Sequence, residues 1–222
     1  MLVKTLKILL LICGLFIVSH AKAGFITTNE SALDAIFSQA SFGFTPIDIR
    51  IGAASEIVAP SLLNITSNAE ISQLFSMHIG ALNIVNFYFI DNISACGGTI
   101  NTGIVGCGEL PGNDFVVESS FAAGRFGGEL LAHELGHNLG LGHRSGGLMN
   151  PSLNNSTTLT SSEVSFLRNS PLVQTDGQDF WININPVLIV AVASRPVPEP
   201  MTLVLFLLSF AILVSNGLNK SR

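Results

Sequence analysis

Residues 133–143 read HELGHNLGLGH, and Met149 follows six residues after the last histidine. On a helix, His133 and His137 are four positions apart and therefore share one face, about one turn apart. Gly140 permits a backbone conformation that ends the helix, so that the chain can turn back and deliver His143. Three imidazoles leave one position of a tetrahedral zinc ion open to water, which is typical of catalytic rather than structural zinc. The segment predicts a helix that carries a zinc site.

Glu134 supplies the acid–base group that such a site needs. It neighbours His133 but is rotated by about 100° around the helix, so it can reach a water on the metal without displacing that water. We expect Glu134 to act as the general base and then to protonate the leaving amine. An exposed helix end with incidental histidines is the alternative. It is disfavoured because three of the five histidines of the chain lie within these eleven residues.

The segment 129–151 resembles the active-site region of metzincin zinc metallopeptidases, and the run HELGHNLGLGH followed by GLMNP is most similar to the matrixins. The resemblance implies an α+β, zincin-like fold. Its twisted mixed sheet would carry two long helices, one of them the active-site helix, with the cleft below the edge strand. A small C-terminal subdomain would follow the third histidine.

The resemblance also implies roles for the residues after His143. Met149 would form an apolar floor beneath the histidines and would not bind the metal, which suits a polarisable side chain. Peptide substrates would bind extended along the edge strand, and residues 149–160 would form part of the specificity pocket. Arg144 departs from the serine that matrixins have at this position. Astacins and serralysins have a tyrosine near this methionine that acts as an extra metal ligand. Here the only tyrosine, Tyr88, lies far upstream of the methionine.

Two functions follow from this site. The first is an exported, zinc-dependent endopeptidase that hydrolyses peptide bonds of a peptide or protein substrate. The second is a non-enzymatic, zinc-containing surface or extracellular-matrix protein that uses the domain to bind partners. Glu134 favours the enzyme, because a site without chemistry has no need of a general base.

The first 23 residues have the three parts of a secretory signal peptide: basic residues Lys4 and Lys7, the apolar run 8–18, and Ala21-Lys22-Ala23 as a cleavage site. Residues 24–195 would then form one catalytic domain, because about 172 residues can enclose a single core but not two ordinary ones.

Residues 196–222 predict a sorting and anchoring segment. Pro198-Glu199-Pro200 is followed by 18 residues without a charge, 201–218, and then by Lys220 and Arg222. Such a run is just long enough to form a transmembrane helix, and the basic residues favour the cytoplasmic side. The tail resembles the PEP-CTERM signal of Gram-negative bacteria. This implies an exosortase-type processing enzyme, an inner-membrane-anchored precursor, and a product at the cell surface or outside the cell. A permanent C-terminal anchor is the alternative.

The charge balance excludes one class of partner. Residues 24–195 contain fourteen acidic residues, five arginines and no lysine. Such a domain lacks the basic footprint of a protein that binds nucleic acid.

Three further side-chain predictions concern residues outside the zinc motif. Cys96 and Cys107 are the cysteines that remain after the signal peptide, and we expect them to form a disulfide in an exported protein. A second metal site at these cysteines lacks obvious partners, because His78, on an apolar stretch, is expected to be structural. Asp176 and Asp179 could bind calcium, although a solvated loop is favoured and nothing else in the sequence supports calcium.

The coarse pattern places these motifs on secondary structure. Helices are predicted at 31–40, 67–77, 128–139 and 160–168, and strands at 46–51, 83–91 and 113–119. Ser67–Glu70 and Thr160–Glu163 fit capping boxes. Residues 97–112 are expected to form a loop, and residues 180–192 a hairpin or extended pair.

Overall fold

The structure is a computed structural model, and it describes residues 24–193. These residues form a mixed α+β fold with five α-helices and a twisted mixed sheet. The predicted signal peptide and the predicted sorting segment, with the transmembrane helix predicted in it, lie outside the described residues. Within residues 24–193, no helix is long and apolar enough to cross a membrane.

The helices and strands are numbered in chain order. The α-helices are α1 Glu30–Phe37, α2 Asn68–Phe75, α3 Ser119–Ala122, α4 Gly127–Asn138 and α5 Ser161–Leu167, and Ala40–Phe42 and Pro60–Leu62 form 3-10 turns. The strands are β1 Ile47–Ile51, β2 Ser55–Val58, β3 Asn64–Ile65, β4 Ile84–Ile90, β5 Asn92–Ile93, β6 Ala95–Cys96, β7 Thr99–Ile100, β8 Gly106–Gly108, β9 Asp114–Glu118, β10 Gln174–Thr175 and β11 Phe180–Val190.

Both predicted capping boxes are present. The Ser67 side chain accepts the N–H of Glu70 while the Glu70 carboxylate accepts the N–H of Ser67, and Thr160 and Glu163 repeat this exchange at α5. Each box satisfies two backbone donors that the first turn of a helix otherwise leaves free. The local sequence therefore determines where α2 and α5 begin.

The main sheet has the spatial order β1-β11-β4-β9-β8. Strands β1, β11, β4 and β9 are parallel, and the edge strand β8 is antiparallel to β9. Strand β2 continues along the same edge of β11 as β1, and β10 pairs antiparallel with the start of β11. The predicted central strand is β4, which is buried on both faces, as expected for a strand inside a parallel sheet.

The C-terminal part of the described chain differs from the expectation. Residues 180–190 form one continuous strand of eleven residues, and not a hairpin or extended pair. This strand lies between β1 and β4, so the chain after the third histidine returns to the middle of the main sheet. The prediction of a separate small C-terminal subdomain is therefore wrong. Most of the apolar run 187–190 is buried and β11 has parallel neighbours on both sides, so burial makes the central position favourable.

Two further expectations need correction. The implied pair of long helices is absent from residues 24–193, where only α4 exceeds eight residues. The helix predicted at 31–40 ends at Phe37, and residues 40–42 form a 3-10 turn instead. The predicted loop over 97–112 contains the short strands β7 and β8, which its glycine-rich sequence did not indicate.

Two apolar cores lie on opposite faces of the sheet. The first joins α1 and α4 to the sheet through residues such as Phe37, Phe87 and Leu131. The second joins α2 to the other face through Leu74, Tyr88 and Ile90. Helix α4 is therefore fixed against the sheet by its own apolar residues, and this positions the histidines that it carries.

Candidate metal centre

Helix α4 presents the first two histidines from a buried surface. Eleven of its twelve residues are buried, including His133 at 5 % and His137 at 8 % exposure. Leu130, Leu131 and Leu135 pack into the core beside the sheet. The helix is therefore held on its apolar side while the two imidazoles meet at its other side.

Gly140 ends the helix as predicted. Its φ of 99° lies in the left-handed region that favours glycine. The N–H of Leu141 then donates to the carbonyl oxygen of Gly136, which closes the turn. The chain reverses over the end of the helix and brings His143 to the other two histidines.

The three Nε2 atoms form a nearly equilateral triangle. The His133–His143 distance is 3.2 Å, and the His137 Nε2 lies 3.1 Å from each of the other two. Nitrogen ligands at about 2.0–2.1 Å from a tetrahedral zinc ion lie about 3.3–3.4 Å apart. The triangle therefore fits three ligands on one side of a single small cation.

Backbone carbonyls set the tautomers of the two helical histidines. The Nδ1 atoms of His133 and His137 each lie 2.7 Å from a carbonyl oxygen, that of Leu148 and that of Leu141 respectively. A carbonyl only accepts, so each Nδ1 carries the hydrogen and each neutral ring directs an Nε2 lone pair at the common point. Facing lone pairs repel unless a cation lies between them. The hydrogen bonds thus prepare the triad to bind a metal ion.

Burial keeps these two rings neutral. Burial, with a smaller contribution from the neighbouring His133, lowers the pKa of His137 to about 4. Burial also lowers the pKa of His133, against the opposing hydrogen bond to the Leu148 carbonyl. Because a metal ligand must be an unprotonated imidazole, the environment favours the metal-binding form near neutral pH.

Glu134 lies beneath the edge strand. It is 5 % exposed and lines the same cavity as the three histidines. A Cβ atom at Gly106 would lie 2.5 Å from its Oε1, and a Cβ at Gly108 would lie 3.2 Å from its Oε2. Strand β8 therefore needs glycine at both positions to pass over the carboxylate. Burial raises the pKa of Glu134 to about 8, although a hydrogen bond from the Gly108 backbone acts in the opposite direction.

Met149 packs against the helix between the two histidines. It is fully buried, and a Cβ at Gly136 would lie 2.6 Å from its Sδ. The glycine inside HELGH therefore provides the space for this methionine. Met149 therefore packs as a buried apolar side chain against the helix that carries the two histidines.

Arg144 holds the loop that carries the third histidine. Its guanidinium donates through Nε and Nη2 to the two carboxylate oxygens of Glu163 in α5, and its N–H donates to the Met149 carbonyl. A two-point contact of this kind fixes direction as well as distance. The arginine that departs from the matrixin pattern therefore connects His143 to the capped start of α5.

The three histidines line a cleft with a volume of about 580 Å³. One part of the cleft lining, here called the strand wall, comes from residues 96–110 around β8. A second part, here called the loop wall, consists of residues 150–153. His143 is the exposed member of the triad, while His133 and His137 are buried. A molecule that entered the cleft would therefore meet the triad and Glu134 together with both walls.

A disulfide joins Cys96 to Cys107 within the strand wall. It connects β6 to the edge strand β8 across eleven residues, and their Cα atoms are 5.6 Å apart. The bond closes the loop that forms the rim of the cleft.

The other predicted side chains lie away from the triad. His78 places Nδ1 2.9 Å from the Asp114 carboxylate and is part of a polar network with Asn86, as expected for a structural histidine. Asp176 is in an exposed turn and accepts the N–H groups of Gln178 and Asp179. Within residues 24–193, His133, His137 and His143 are the one group of histidine, cysteine or acidic side chains placed to share a metal ion.

Several residues of the site were not predicted from the sequence. Gly106 and Gly108 gave no signal, because glycines in a loop are common. The spacing between Arg144 and Glu163 likewise carries no pattern.

Comparison with protein-family models, curated proteins and solved structures finds no match to this chain. What stands independently of resemblance is a triad of histidines that could hold a metal ion.

Proposed function

We propose that the protein is a zinc-dependent endopeptidase of the metzincin type. The observation that carries the proposal is the set of three Nε2 atoms, 3.1–3.2 Å apart, with Glu134 in the same cleft. Three histidines with an adjacent unligated carboxylate are the chemistry of zinc hydrolases. The helix, the glycine turn and the buried methionine support the same assignment.

His133, His137 and His143 would hold zinc, which when bound supplies Lewis acidity to a water and to the substrate carbonyl. Glu134 removes a proton from the attacking water and delivers it to the leaving amine nitrogen. In the metal-free protein, burial raises the pKa of Glu134 to about 8, and a cation bound in the same cleft would favour the carboxylate form that accepts the proton.

The strand wall supports a peptide as substrate. Strand β8 is the last strand of the sheet, and it pairs with β9 on one side. Apart from the Gly108 N–H, which donates to Glu134, its outer backbone groups can pair with an extended chain, which is how peptides add to a sheet edge. Gly106 and Gly108 keep that edge free of side chains next to Glu134.

Two substitutions separate metal binding from chemistry. His137→Ala should abolish zinc binding or weaken it severely, while Glu134→Gln should retain one zinc per chain and lose hydrolysis by orders of magnitude. Zinc is measured by elemental analysis and hydrolysis with a peptide library. His78→Ala, which removes a histidine outside the triad, is the matched control and should retain both zinc and hydrolysis.

The outcomes distinguish the alternatives. Full zinc occupancy in His137→Ala would refute the ligand set. Hydrolysis by Glu134→Gln at the parent rate would remove Glu134 as the base. A parent protein that holds zinc but cleaves no library peptide would favour a non-enzymatic surface or matrix component.

We also propose that the termini direct export. The sequence of residues 1–23 fits a signal peptide, and residues 196–222 fit a PEP-CTERM-like tail that an exosortase-type enzyme processes. The product would reach the cell surface or the exterior of a Gram-negative bacterium. Terminal sequencing of the native protein tests both ends. A product that still carries residues 201–222 would indicate a permanent membrane anchor.

A further inference from the structure

Glu129 makes contacts that are unusual for an acid in the first turn of a helix. The side chains of such residues ordinarily face solvent, and their negative charge interacts favourably with the positive end of the helix dipole. Glu129 is only 6 % exposed. Its two carboxylate oxygens accept the backbone N–H groups of Asn154 and Asn155, at 2.9 and 2.8 Å. The side chain is thus directed at the chain that follows the loop wall.

Gln39 holds the next part of the same segment. Its Nε2 donates to the carbonyl oxygens of Ile36 and Thr157, at 2.8 and 3.0 Å, and its Oε1 accepts the N–H of Leu159 at 3.1 Å. Residues 154–159 are therefore bound at four backbone groups by two side chains from elsewhere in the fold.

The segment 150–159 contains no helix or strand, so its position depends on such contacts. The N–H groups of Asn154 and Asn155 point away from solvent towards a carboxylate, and charge-assisted bonds of this kind are stronger than neutral ones. Asn155 adopts a φ of 65°, which a non-glycine residue keeps only when its surroundings hold it there. The loop wall ends at Leu153, the residue immediately before this clamp.

We propose that Glu129 is a positioning residue that sets the substrate preference of the cleft. It lies one helical turn before His133, so a single helix fixes both the metal ligand and the loop wall. Residues 150–153 are thereby held at a constant distance from the triad, and the space between them admits only side chains that fit. This inference rests on the proposed peptidase function.

Glu129→Gln in the full chain tests the proposal. The amide retains one acceptor oxygen but presents an NH₂ group to the second backbone N–H, so one bond is lost and the other loses its charge. We expect the KM for the preferred peptide to rise about tenfold while kcat stays within about twofold. Zinc content should not change, and the cleavage preference in a peptide library should broaden. Glu30→Gln is the matched control, because Glu30 is an exposed acid in the first turn of α1.

Amide hydrogen exchange supplies a readout that does not depend on hydrolysis. Asn154 and Asn155 should lose protection in Glu129→Gln and keep it in Glu30→Gln. If the parent protein cleaves no peptide, the proposed function fails, yet this exchange still reports whether Glu129 holds the segment. Unchanged exchange at both amides in Glu129→Gln would overturn the positioning role even in an active enzyme.

Gln39→Glu is an independent variant at the far end of the segment. The added carboxylate oxygen would face the carbonyls of Ile36 and Thr157, so the same rise in KM and a loss of protection at Leu159 are expected. A parent-like KM and cleavage preference in both folded variants would refute the proposal. A fall in kcat with unchanged KM in Glu129→Gln would also refute it, because Glu129 would then act in the chemistry.

Discussion

The two walls of the cleft are held by different kinds of bond. The strand wall is fixed by a backbone ladder between β8 and β9 and by the Cys96–Cys107 disulfide. The loop wall is continuous with residues 154–159, which the side chains of Glu129 and Gln39 hold. The strand wall therefore depends on backbone hydrogen bonds and one disulfide. The loop wall depends on hydrogen bonds from two particular side chains. This difference predicts that the walls will respond differently to pH, to reduction and to substitution.

The largest expected effect concerns Glu134, which is buried beneath the strand wall and makes the stability of the domain depend on pH. In the metal-free protein, burial raises the pKa of Glu134 from 4.5 to about 8. The unfolded chain therefore releases this proton near pH 4.5, whereas the folded domain retains it until about pH 8. Glu134 thus favours folding at low pH, and this contribution is lost as the pH rises from about 4.5 to 8.

We expect the difference in unfolding free energy between the metal-free parent and Glu134→Gln to fall by on the order of 4 kcal/mol across that range. The lowered pKa values of His133 and His137 act in the opposite direction, since those rings lose stability as the pH falls. They are present in both proteins and cancel in the difference. Urea unfolding at a series of pH values measures it. A difference that does not vary with pH would show that Glu134 is not buried as described.

The second effect separates the walls by chemistry. Replacing both Cys96 and Cys107 by serine should lower the unfolding free energy by about 3 kcal/mol, because the unfolded chain is no longer constrained by the loop. The rim around residues 97–104 should also exchange its amide hydrogens faster, while Asn154 and Asn155 remain protected.

Reduction of the parent should reproduce these changes, and the double serine variant should not respond to the reductant. Loss of protection at Asn154 in either case would show that the two walls are not independent.

Part of this arrangement was predictable from the sequence. The helix of the triad was predicted at 128–139 and lies at Gly127–Asn138, and both capping boxes are formed. These succeeded because each depends on residues within a few positions of one another. The central position of β11 was not predictable, since an apolar run does not show which strands it pairs with. The contact of Glu129 with Asn154 joins residues 25 positions apart and leaves no local signal.

The smallest effect compares the two capping boxes. Thr160→Ala and Ser67→Ala should each reduce the unfolding free energy by about 1 kcal/mol, because each removes the acceptor for the first turn of its helix. Thr160 also ends the segment that carries the loop wall, and its partner Glu163 binds Arg144. We therefore expect a rise in KM of less than about threefold for Thr160→Ala and none for Ser67→Ala. Equal KM values in the two variants would restrict the loop wall to the part held by Glu129 and Gln39.

The central position of β11 has a mechanical consequence. Any attachment made through the residues after Val190 pulls on a strand that is bonded on both sides to parallel neighbours, β1 and β2 on one side and β4 on the other. A force along this strand loads both ladders in shear, so many hydrogen bonds must yield together rather than one after another. The edge strand β8 is separated from β11 by β4 and β9, so a load applied after Val190 would reach the ladders beside β11 before it reached the strand wall.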